Sequence, residues 1–182
     1  MIQALRKATQ PFHHALEKKM YSSKIMSKEI SQQELIHLLR INYLFFKHIQ
    51  EYRAFLPSLE NFYPTRHDLA QADLKNMDVF CEDEVDTSLF SEVNKDHLVG
   101  MIYVSLGSSL GSALIAKKLN LTKHLEGCSY TFFSNSPSIM TTWNNYLSYL
   151  HIEQALLCEE RVIEGAIASF KYFDQLYDST KV

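Results

Sequence analysis

The chain has 182 residues, a net charge of −3 and a pI near 6.2, with only 5 Gly and 4 Pro. That length supports one domain with a sizeable core, and so few chain-breakers favour long helices over a many-turned β fold. The charge excludes the basic footprint of a nucleic-acid binder, and three cysteines without CxxC spacing point to a reducing compartment without structural zinc.

The polar start, MIQALRKATQPFHH, is unlike a signal peptide, and no apolar run approaches the ~20 residues of a membrane span. A soluble, cytoplasmic protein is the expectation. The first helix is expected over Ile2 to Met20, interrupted at Pro11, with Thr9 capping the part that follows. SKIMSKEI reads as a connection. Ser31 to Glu34 fits a capping box, and Leu35, Leu38, Leu39, Leu44, Phe45 and Ile49 continue a helix to about Phe55. Pro57 and Pro64 bracket a loop. A short helix runs from about Arg66 to Met77, and CEDEVD reads as a solvated loop. One helix is expected from Asn94 to Lys118. Past a loop rich in Ser and Asn, another covers Ser138 to Leu150. The last, about Glu153 to Tyr177, carries Val162, Ile163, Ala166, Phe170, Phe173 and Leu176 as its apolar stripe. The sum is an all-α, single-domain bundle over residues 1–182.

Two stretches carry candidate chemistry. Thr9, His13 and Glu17 recur every four residues, on nearly one helix face. Side chains lean toward the helix N-terminus, so Glu17 can reach back to His13, fix its tautomer and leave the other ring nitrogen free for a metal. Spacing alone equally fits two surface histidines and does not choose between His13 and His14. In YVSLGSSLGSALIAKKL, Gly107 and Gly111 lie one turn apart inside an apolar helical pattern, at a cost of roughly 1 kcal/mol each. They make a bare patch of backbone, suited either to close helix packing or to a flat ligand, and they ease a kink. Ser108, Ser109 and Ser112 beside them can hydrogen-bond a ligand or hold water.

Together these segments resemble the haem oxygenase family, above all its bacterial members. LRKATQPFHHALE is similar to that family's proximal T-x-x-x-H-x-x-x-E segment, which implies His13 as the haem-iron ligand and Glu17 as its partner. YVSLGSSLGSALIAKKL is similar to the distal Y-V-x-x-G-S-x-L-G pattern. RHDLAQADL resembles a recurring R-x-x-x-x-x-x-D-L segment, and RVIEGAIASF the last long helix. The resemblance spans nearly the whole chain in order. It implies haem sandwiched between a proximal and a kinked distal helix. It further implies cleavage of haem to biliverdin, carbon monoxide and ferrous iron, with O₂ and an electron donor of ferredoxin, flavodoxin or reductase type. Gly107, Ser108 and Gly111 would serve the distal side, and Arg6, Tyr103, Lys117 and Lys118 the haem edge.

Three positions depart from the family's patterns. Ser108 stands where some members carry Asp, Leu106 where bacterial members often carry Glu, and TTWNNYLSYL has no cation for the haem propionates. A haem-binding or haem-delivery protein of the same fold is therefore the alternative. A thiaminase-like relative is a further rival, although its motifs find no match here.

Overall fold

Among the residues that the computed structural model describes (1–52, 62, 66–81, 93–134 and 138–181) there are nine α-helices and no strand. They are α1 Ile2–Lys19, α2 Ser22–Ser27, α3 Gln32–Glu51, α4 His67–Asn76, α5 Lys95–Leu110, α6 Ser112–Leu119, α7 Thr131–Ser134, α8 Ile139–Glu153 and α9 Glu159–Ser179. The capping box forms as its spacing predicts. Ser31 Oγ accepts from the Glu34 N–H at 3.2 Å, and Glu34 Oε2 accepts from the Ser31 N–H at 2.9 Å. α3 is buried along most of its length and stacks Phe45 on Phe173 of α9, ring centres 3.7 Å apart.

α5 and α9 form the tightest contact. A Cβ built on Gly100 would lie 2.0 Å from the Val162 carbonyl oxygen, and one on Gly165 would lie 2.1 Å from that of His97. Each glycine thus lets one backbone touch the other. Tyr146 of α8, fully buried, donates to the Val99 carbonyl at 2.7 Å and ties a third helix to the same place. Taken through its bend, residues 95–119 are long and apolar enough to cross a membrane by composition, but 56% of their most apolar 18-residue window is buried inside the protein. Its apolar surface is explained by packing in the core.

The structure corrects several expectations. Pro11 does not interrupt α1: it sits on an exposed face, and the helix runs through it. Only one ladder bond is lost, and the carbonyl it frees belongs to exposed Lys7, open to water. Thr9 is no cap; its buried hydroxyl donates back to the Leu5 carbonyl at 2.8 Å. SKIMSKEI contains the short helix α2, closed by Lys28 at φ 64°. The helix expected over Asn94 to Lys118 breaks at Gly111 into α5 and α6. The last helix starts at Glu159 instead of Glu153, because α8 extends to Glu153 and Cys158 is extended. The far end of the second expected helix, the Pro57–Pro64 loop and most of CEDEVD lie outside the described residues.

Gly100→Ala or Gly165→Ala should lower stability by about 1–3 kcal/mol or more, since the added methyl meets backbone that cannot turn aside. Gly111 has an ordinary helical φ of −77° and nothing within 4 Å of its Cβ position, so Gly111→Ala should stabilise by about 0.5–1 kcal/mol. Urea unfolding of the three variants checks both signs.

Candidate functional site

α1 packs on α9 and buries Leu5, Thr9 and Leu16, and beside them runs a stripe of Arg6, Gln10, His13 and Glu17 at helical spacing. That stripe lines a cavity of about 800 Å³, within the ~300–1,000 Å³ of small-molecule sites. α5 contributes Tyr103, Gly107 and Ser108 to the same cavity, and the rest of the wall includes Phe46, Phe132, Phe133, Trp143, Phe170 and Phe173.

His13 Nδ1 lies 3.4 Å from Glu17 Oε2, and the ring meets Phe170 edge-on with centres 6.1 Å apart. With its proton on Nδ1 directed at Glu17, the imidazole keeps Nε2 as an acceptor. His13 and His14 are both exposed, but only His13 lines the cavity. A Cβ on Gly107 would meet only the edge of Trp143, at 4.0 Å, so no helix backbone among the described residues packs closely at this position. The close helix packing that the glycine spacing also allowed occurs elsewhere, at Gly100 and Gly165.

The structure therefore brings Arg6, His13, Glu17, Tyr103, Gly107 and Ser108 around one cavity. It does not bring Gly111, Lys117 or Lys118 there. Gly111 is exposed at the bend, and the two lysines occupy the last turn of α6, where the helix dipole favours cations. Leu106 is fully buried and does not line the cavity.

Sequence reading gave no role to two residues that shape the wall. Arg66 and Asp73 lie two turns apart on one face of the α4 segment, and both hold α7. Asp73, with no exposed surface, accepts from Ser129 Oγ at 2.5 Å, the Thr131 N–H at 2.9 Å, Thr131 Oγ1 at 2.7 Å and the Phe132 N–H at 2.7 Å. Arg66 Nη2 donates to the Phe132 carbonyl and, at 3.2 Å, to Ser112 Oγ. Lys7, beside Arg6 on the wall, was also missed. The seven-residue interval between Arg66 and Asp73 was the available signal, but one face of a short helix names no partner.

Fold and cavity together define an all-helical protein that encloses a small-molecule site between its first helix and a bent internal helix. The family model described as Heme oxygenase matches residues 1–179, and the chain belongs to the haem oxygenase family. The structure of the NO- and CO-bound haem oxygenase from Neisseria meningitidis has the same fold, with a TM-score of 0.69 and 22% identity over 98% of this chain and 90% of that one. No curated protein sequence matches the chain.

Asp73→Ala should cost about 3 kcal/mol or more, since it leaves four donors, two of them backbone N–H groups, without their acceptor. Thermal and urea unfolding measure it, and a loss under 1 kcal/mol would contradict the clamp on α7.

Proposed function

We propose that the protein acts as a haem oxygenase, cleaving haem to biliverdin, carbon monoxide and ferrous iron with O₂ and electrons from a separate ferredoxin, flavodoxin or reductase. The observation that carries this reading is one cavity that holds both His13, its Nδ1 toward Glu17, and the bare backbone of Gly107. The residues fit the group: a single imidazole nitrogen for iron, seven aromatic side chains among the lining of the cavity for a macrocycle, and backbone without a side chain where a flat ring needs close approach. Bound haem supplies the redox-active iron and is itself the molecule oxidised.

The chain's own groups do the rest. Glu17 orients His13 and fixes the tautomer that leaves Nε2 free for the iron. Arg6 and Lys7, the Arg and Lys of the wall among the described residues, would hold the propionates; Lys117 and Lys118 lie outside the wall. Gly107 would admit the ring, and the apolar side chains of the wall would keep bulk water from it. A cytoplasmic setting fits three cysteines that form no disulfide.

Haemin should bind one-to-one with the Soret band of a single-histidine complex. His13→Ala should weaken binding at least tenfold, and His14→Ala should change it little. Reductant and air should then convert the bound haem to a bilin spectrum. A haem spectrum that persists under those conditions would mark a haem carrier instead. Gly107→Leu should lower haemin affinity at least tenfold while leaving the thermal midpoint of the ligand-free protein within a few degrees. Arg6→Ala and Lys7→Ala should each cost about 1 kcal/mol of affinity or less, as for other solvent-exposed pairs. Their clearer effect should be on the ratio of bilin isomers, read by chromatography.

A further inference from the structure

The serines of the bent helix are not equivalent. Ser105 donates its hydroxyl to the Ile102 carbonyl at 3.0 Å, and Ser108 and Ser109 both donate to the Ser105 carbonyl at 2.9 Å. A hydroxyl has one hydrogen, so these three are committed to their own helix. Ser112, the first residue past the bend, differs. Its Oγ accepts from Arg66 Nη2 at 3.2 Å and donates to no group among the described residues. It is 2% exposed, and it lines the cavity.

Arg66 is an unusual donor for such a place. It is 6% exposed, its Nε has no hydrogen-bond partner among the described residues, and its guanidinium lies 4.4 Å from the centre of the Phe132 ring and 5.9 Å from that of Phe46. Burial pulls its ionisation down to about 10, and no carboxylate among the described residues offsets that effect. The group stays charged at neutral pH. Asp73, on the same helix, is saturated by residues 129–132. A buried cation with no counter-ion among the described residues is costly, and a neutral donor would satisfy Ser112 and the Phe132 carbonyl as well. What the charge adds is field. It polarises the Ser112 hydroxyl, which becomes a stronger donor because it accepts a charge-assisted bond.

We propose that the Arg66–Ser112 couple is the hydrogen-bond donor that this cavity presents to a small ligand with lone pairs, a water or diatomic molecule, on bound haem. Ser112 is the group that touches the ligand, and Arg66 is its positioning residue. The couple takes the part expected of Ser108, whose hydrogen is already engaged. The inference rests on the haem reading above.

Carbon monoxide added to the reduced haem complex of the full chain is the probe. Its infrared stretch falls near a positive field or a hydrogen-bond donor. Ser112→Ala and Arg66→Met should both raise the frequency, Ser112→Thr should restore it, and Ser108→Ala should leave it in place. Circular dichroism and the Soret band establish that each variant folds and binds haem; if Arg66→Met does not fold, the serine variants decide the matter. An unchanged stretch in Ser112→Ala, or a larger shift in Ser108→Ala, overturns the couple while leaving the haem reading intact. Failure of the unaltered chain to form a histidine-ligated haem complex overturns both.

Discussion

Where α5 crosses α9, the two backbones touch through Gly100 and Gly165, with the Cβ positions only 2.0 and 2.1 Å from carbonyl oxygens of the facing helix. The position of the cavity depends on that crossing, because α9 is the common support for both of its flanking helices. α1 packs on α9 along its buried stripe, with Lys19 paired to Asp174 at 2.6 Å and Asp178 at 2.9 Å. Those exposed pairs add little to stability, but they hold the register in which α1 lies. The depth to which α5 sinks on α9 then sets how far Gly107 stands from His13.

The cavity wall mixes seven aromatic side chains with aliphatic and polar ones. α7 is four residues long, too short to persist as a free helix, yet it supplies Phe132 and Phe133. Asp73 holds it by accepting two of its N-terminal N–H groups and the Thr131 hydroxyl, and Arg66 holds it through the Phe132 carbonyl. The same arginine reaches Ser112 across the bend. One short helix, α4, thereby couples a wall element to the bent helix and carries a buried charge to the cavity's edge.

The bend at Gly111 separates two roles that the sequence merges. Gly107 lies where a side chain would project toward the cavity, and Gly111 lies one turn on, exposed, where the ladder breaks. Gly111 needs no left-handed conformation. Past it, α6 turns so that Ser112 and Ile115 face the cavity and Lys117 and Lys118 leave it.

What the sequence determined by itself is what short-range physics decides. The all-helical class follows from helical periodicity and few chain-breakers, the start of α3 from the Ser31–Glu34 box, and the start of α5 from Asn94, whose Oδ1 accepts from the N–H groups of Asp96 and His97. His13 and Glu17 were legible as a pair because four residues make one helical turn. Tertiary structure alone decided the rest. Spacing could not say whether His13 or His14 faces inward, since that depends on how α1 is rotated against α9. Nor could it say which glycines face a helix and which face a cavity, because a missing side chain looks the same in both cases. The reach of Arg66 to Ser112, 46 residues on, and of Asp73 to α7 depends on how α4 packs. No local pattern encodes it, because those contacts exist only once the crossing of α5 and α9 has fixed where each helix lies.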